Sequence, residues 1–130
     1  MARVSVADVM TRRVVYLPDG TMLDEAAQAM RDRGIGDVVV TRGSTMVGVV
    51  TDRDIVVRAI AEDLPPKSTT LADITSHELI MVEQSATVEE AVQAMRDRSV
   101  RRLLVCDADR KVVGIISLSD IALVPTSTPA

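Results

Sequence analysis

One pattern is written twice along this chain, and that repeat limits the fold more than any other feature. "EAAQAMRDR" at 25–33 returns as "EAVQAMRDR" at 90–98, 65 residues later. "ADVM" at 7–10 returns as "ADIT" at 72–75 with the same offset. "VGVVTDRDI" at 47–55 returns as "VGIISLSDI" at 113–121, an offset of 66, so one residue is gained between Thr41 and Val47. The gain falls in "TRGST" against "CDADRK", which reads as a turn, where insertions disturb few backbone partners. A half of about 60 residues has a marginal core. Two halves that bury their sheet faces against each other have a sufficient one, so the expectation is one compact unit with a pseudo-twofold axis.

Each half shows one order of elements. An apolar segment, "VVYL" (14–17) or "LIMV" (79–82), reads as a strand. A helix follows, with Leu23, Ala26, Ala27 and Met30 in the first half and Val88, Ala91, Val92 and Met95 in the second, one apolar stripe each. "TVEE" (87–90) is a capping box with Thr87 as N-cap, and "TMLD" (21–24) is a candidate for another. Two strands come next, "DVVVT" (37–41) with "MVGVVT" (46–51), and "RLLVC" (102–106) with "VVGIIS" (112–117). They are apolar without alternation, which predicts cover on both faces. A second helix is predicted from Thr51 to about Glu62, and its counterpart after Ser117 is short. The fold class is therefore α/β, two β-α-β-β-α repeats packed sheet to sheet, each with a short helical lead-in. The expected division is 1–62 for the first repeat, 63–70 for a proline-containing linker, 71–124 for the second repeat and 125–130 for a flexible tail.

Composition removes several function classes. The net charge is −4, so the broad basic field of a general nucleic-acid binder is missing. The core has to be built from aliphatic residues and seven methionines, with Tyr16 the only aromatic side chain. Cys106 is the only cysteine, so no intrachain disulfide forms, in keeping with a reducing cytoplasm. "MARVSVADVM" has no long apolar core of the kind a signal peptide carries, and no run is long enough to span a bilayer. The expected location is the cytoplasm, with no membrane partner.

In this order and at this spacing, "ADVMTRRVVYL", the two "QAMRDR" helices and the two G-x-[VI]-[TS]-x-x-D motifs resemble the CBS-domain pair, or Bateman module, over nearly the whole chain. The resemblance implies clefts between repeats that bind adenosine compounds: AMP, ADP, ATP, sometimes S-adenosylmethionine. It also implies homodimers, and regulation of an enzyme or channel; with nothing fused here, any effect passes through a separate, unknown partner protein.

Thr51 with Asp54, and Ser117 with Asp120, are the first candidate ligand-binding residues. By resemblance, the carboxylate accepts hydrogen bonds from ribose hydroxyls and the Thr or Ser hydroxyl donates to ribose or phosphate. The same spacing also makes a helix capping box, which needs no ligand, and one residue can do both. Arg101 and Arg102, just before and at the start of the second strand, sit where nucleotide-binding members carry a phosphate-touching His or Arg. Arginine suits that task through its planar fork of donors, while a charged strand edge is the plainer reading. The first half has Gly36 and Asp37 there instead, and an aspartate repels phosphate.

Two departures from the family pattern stand out. Val39 and Leu104 occupy positions where the family often has proline, and "SLSD" lacks the basic residue that Arg53 supplies in "TDRD". His77 stands alone without metal-ligand spacing, and Cys106 reads as a small core residue. No catalytic or metal site is expected, and no cofactor is required. The function expected is a ligand-sensing regulatory module; the alternative is a ligand-free dimerisation or adaptor protein, with "DIALV" (120–124) completing an interface.

Overall fold

The computed structural model describes residues 3–77 and 79–122. Each repeat folds into a helix-flanked three-stranded sheet. In the first, β1 (Tyr16–Pro18) is followed by α2 (Leu23–Arg33), β2 (Asp37–Arg42) and β3 (Thr45–Thr51), after the lead-in helix α1 (Val6–Val9). Beyond β3 come α3 (Asp52–Asp54) and a π-helix, Ile55–Ile60. The second repeat matches it with lead-in α4 (Leu71–Ile74), β4 (Met81–Glu83), α5 (Val88–Arg98), β5 (Arg102–Cys106), β6 (Val112–Ser117) and α6 (Leu118–Ala122). Both sheets place the first strand parallel to the middle one and the last antiparallel to it. Both antiparallel ladders also shift register at the same point, Val40/Thr41 and Val105/Cys106.

The middle strands are buried on both faces, as their unbroken apolar runs predict: Val38, Val39 and Val40 in one, Leu103 to Cys106 in the other. The helical stripes are buried at Leu23, Ala26 and Met30, and at Val88, Ala91 and Met95. Ala27 departs from its stripe and is exposed. The extra residue of the second repeat lies in the β5–β6 turn, where Arg110 takes a left-handed φ of 62°, against Gly43 at 62° in the β2–β3 turn.

Two local expectations need correction. "TMLD" is not a capping box: α2 has Met22 at its N-cap and no side-chain cap. Linker carbonyls do that work, since the Leu23 N–H donates to Thr69 O (2.9 Å) and the Asp24 N–H to Pro66 O (3.2 Å). With these donors satisfied from outside, a hydroxyl cap is redundant. The predicted helix from Thr51 to about Glu62 is not one α-helix but a single α-turn leading into a π-helix, in which the Ala61 N–H reaches back five residues to Val56 O (2.8 Å). Ile55, Val56, Val57 and Ile60 are β-branched and crowd one another at α-helical spacing; the wider turn relieves that crowding.

The described chain forms two compact units, and they do not follow the repeats. One spans Val15–Leu79; the other joins the segment before Val15 to the segment from Ile80 onward. The lead-in of each repeat packs on the sheet of the other. Val6 and Met10 share a core with Ala91, Met95, Leu103 and Ile116. Leu71 and Ile74 share one with Leu23, Val38 and Val50. Backbone pairs fasten each lead-in: Thr11 and Ile115 exchange bonds of 2.8 and 2.9 Å, and Ser76 bridges Val49. A glycine permits each close approach. A methyl at Gly48 would overlap Thr75 and the Ser76 carbonyl, and one at Gly114 would lie 2.7 Å from Thr11 O. The tail at 125–130, and Leu123 and Val124 of the "DIALV" segment, lie outside the described residues.

Candidate functional site

The two [TS]-x-x-D motifs sit where the last strand of each sheet becomes a helix, and both form closed capping boxes. The Asp54 N–H donates to Thr51 Oγ1 (3.0 Å) and the Thr51 N–H donates to Asp54 Oδ2 (2.8 Å). In the second repeat the Asp120 N–H donates to Ser117 Oγ (3.2 Å) and the Ser117 N–H to Asp120 Oδ2 (3.0 Å). The following residue is tied down alike in both: the Asp52 N–H donates to Gly36 O and the Leu118 N–H to Arg101 O, each at 2.9 Å. The capping role therefore holds for both pairs. It leaves the Thr51 hydroxyl with a proton to donate and each carboxylate with a second oxygen, while the Ser117 hydroxyl also pairs with Ser119.

The surroundings then diverge. Strand register sets Asp37 opposite Thr51 and Arg102 opposite Ser117. Directly paired residues project to one face with Cβ atoms about 5 Å apart. An aspartate thus pairs with the threonine of the first repeat and an arginine with the serine of the second. Arg102 is half-buried; Arg101 is exposed, and its carbonyl, not its side chain, is tied to the motif. The carboxylates differ too. Asp54 Oδ1 lies 3.7 Å from Arg58 Nε, while Arg58 Nη1 donates to Ile74 O at 3.2 Å. The spacing of four from Asp54 to Arg58 on one helix was the sequence signal for that contact. In the second repeat the Ser117 hydroxyl instead meets the Ser119 hydroxyl at 2.9 Å.

Val39 and Leu104 continue their ladders where the family often has proline. The Val39 N–H donates to Val15 O (2.8 Å) and the Leu104 N–H to Ile80 O (3.0 Å), bonds a proline cannot make. His77 is exposed and Cys106 is buried. Among the described residues, no group of three His, Cys, Asp or Glu is placed to hold a metal ion. No described helix is long and apolar enough to cross a membrane.

Comparison with known proteins agrees with the two repeats and their fold. The family model described as "CBS domain" matches twice, at 6–60 and 71–125. A protein of Methanopyrus kandleri is 36% identical over 93% of this chain, which spans 62% of that relative's length. The CBS domain-containing protein YhcV of Bacillus subtilis is 32% identical over 92% of this chain and 84% of its own. Among solved structures, a conserved protein from Pyrococcus horikoshii superposes with a TM-score of 0.82 at 26% identity, over 94% of this chain and 92% of that one. A hexameric CBS-CP12 protein from bloom-forming cyanobacteria shares the fold, with a TM-score of 0.85 at 24% identity over 95% of this chain and 68% of that one.

Proposed function

This chain belongs to the CBS-domain family, and from that premise we propose that it is a regulatory module whose second repeat binds an adenine nucleotide or a related adenosyl compound. The observation that carries this reading is the register of Arg102 opposite Ser117, one helical turn from the Asp120 carboxylate. A hydroxyl, a carboxylate and an arginine are carried by residues at one end of one sheet. Ribose hydroxyls suit the free oxygen of Asp120, and phosphate suits the Arg102 fork. In the first repeat Asp37 stands in the place of Arg102 and Arg58 engages Asp54, so a phosphorylated ligand favours the second repeat.

Thermal unfolding against AMP, ADP, ATP, NAD and S-adenosylmethionine tests this. A ligand at one hundred times its dissociation constant adds about 2.7 kcal/mol, a midpoint shift of several degrees. The expected result is a shift with a phosphorylated compound that falls to about half in Arg102→Ala and is likewise reduced in Asp120→Ala. A flat panel sinks the reading.

A second reading, a ligand-free self-associating adaptor in a cytoplasmic setting, is favoured by a different observation. Val56, Val57 and Ile60 are 57%, 47% and 52% exposed along one short helix. Such a cluster is a contact surface more often than a chance of composition.

A further inference from the structure

We propose that Arg58 is a built-in ligand of the first [TS]-x-x-D motif: its guanidinium fills the second oxygen of Asp54 and carries that hold to the end of lead-in helix α4. The inference does not rest on nucleotide binding to the second repeat, so a flat ligand panel leaves it untouched.

Asp54 has one oxygen committed to its own cap, since Oδ2 accepts from the Thr51 N–H at 2.8 Å. Its Oδ1 lies 3.7 Å from Arg58 Nε. A different nitrogen of the same guanidinium, Nη1, donates to Ile74 O at 3.2 Å. One contact reaches four residues along the same helical segment, the other sixteen residues along the chain. A planar fork of donors makes both together, which the single ammonium of a lysine does not. The ion pair by itself is worth little, because the Arg58 side chain is half exposed. Its backbone is nevertheless fixed, with Ile55 and Ala59 of the same π-helix buried in the core. The guanidinium is thus presented from a rigid base.

The far end of this tie is a weak element. Ile74 is the last residue of α4 (Leu71–Ile74), a single helical turn that does not persist alone. Its final carbonyls need partners from outside the turn. Leu71 O accepts from the Thr75 N–H (2.9 Å) and the Thr75 hydroxyl (2.6 Å), and Ile74 O accepts from Arg58. Just beyond, Ser76 bridges Val49, two residues before Thr51 on β3, where Gly48 leaves room for the approach. The end of α4 is therefore held from both sides of the first motif, by the strand before it and by the helical segment after it. Arg58 is the tie that also reaches the motif's carboxylate.

The second repeat is built differently. At the offset of 66, Arg58 corresponds to Val124, a residue with no side-chain donor, which lies outside the described residues. In the first repeat, what occupies Asp54 Oδ1 sets how firmly α4 is held. An outside donor that takes this oxygen draws Arg58 away and loosens the lead-in. Removing the arginine vacates a place shaped for a guanidinium ion.

Amide hydrogen exchange of the full chain, with no nucleotide added, tests the proposal. Arg58→Ala is expected to speed exchange of the Thr75 N–H by about tenfold, the loss of one charge-assisted bond, and to leave the Val39 N–H of the sheet unchanged. Asp54→Asn, which keeps a capping oxygen, should produce part of that effect. The double variant should exchange no faster than Arg58→Ala alone, because both changes act through one side chain. Guanidinium ion, well below denaturing concentration, should restore protection of Thr75 in Arg58→Ala but not in the double variant. Urea, of the same shape but neutral, should not restore it. Unchanged exchange at Thr75 overturns the proposal, as do additive effects in the double variant or rescue by urea as good as by guanidinium. Equal acceleration at Val39 marks a general loss of stability in Arg58→Ala. Asp54→Asn then decides: faster Thr75 exchange in it supports the tie, and unchanged exchange overturns it.

Discussion

At the end of its last strand, each repeat holds a hydroxyl in a capping box closed by an aspartate three residues on, with backbone bonds that match in partner and nearly in length. Beside the hydroxyl, register places Asp37 in one repeat and Arg102 in the other. Nearby the repeats differ again: Gly36 and Asp52 of the first have Arg101 and Leu118 as their counterparts in the second. What is common to both repeats is what the fold needs, the cap and the ladder. The charges and apolar residues around them differ between the repeats.

The largest expected effects compare the two cores. Leu23 is wholly buried and its counterpart is the smaller Val88, 8% exposed. Leu23→Ala is expected to lose about 3 kcal/mol in denaturant unfolding. Val88→Ala removes fewer atoms and loses less; equal losses would mean that the packing around Val88 relaxes less than that around Leu23. Next are the lead-in contacts. Gly48→Ala drives a methyl into the Ser76 backbone and should lose about 2 kcal/mol or more, the cost of overpacking. Gly114→Ala should lose less, because the flexible Met10 thioether makes up part of what its methyl meets. The reverse order would show that the Thr11 contact is the stiffer one.

Arg102→Ala is expected to weaken nucleotide binding by about tenfold, the loss of one charge-assisted hydrogen-bonding partner, in isothermal titration. Asp37→Ala should not weaken it, and a loss there would remove the charge distinction between the repeats. Thr87→Ala is expected to lose about 1 kcal/mol through the α5 cap, while Thr21→Ala, at the uncapped start of α2, loses little. Unfolding curves of the two variants separate these outcomes.

The smallest effect is with pH. The Thr87 N–H and hydroxyl hold the Glu90 carboxyl below its ordinary range, and the Ser5 backbone and side chain do the same for Asp8. A depressed folded pKa contributes stability that is full above the ordinary carboxylate range and lost as pH falls through the folded value. Both groups cap helices, Asp8 in α1 and Glu90 in α5, so acid is expected to weaken those two caps. Carboxylate titration by NMR, with Glu90→Gln as control, reads this directly; a Glu90 pKa at its ordinary value removes the effect.

Much of the candidate site was legible because it is local. A capping box is a matter of four consecutive residues, and Thr51, Asp54, Ser117 and Asp120 declared theirs by spacing alone. The pairing of Arg102 with Ser117 follows once two adjacent strands and their turn are recognised, because hairpin register depends on the turn. The cavity of about 580 Å³ lined by Met30, Gly34, Gly36, Asp52 and Val56 was not legible, because two separate stretches of the chain make it.

The repeat, the order of its elements, the buried middle strands and the four capping residues were determined by the sequence itself, because hydrophobic period and hydrogen-bonding spacing act over a few residues. Tertiary structure alone decided which sheet each lead-in covers. Helices as short as Val6–Val9 and Leu71–Ile74 cannot hold themselves together, so they take whatever apolar surface the chain brings near. That choice rests on contacts between distant residues, Thr11 with Ile115 and Ser76 with Val49, and on the missing side chains of Gly114 and Gly48 that let them form.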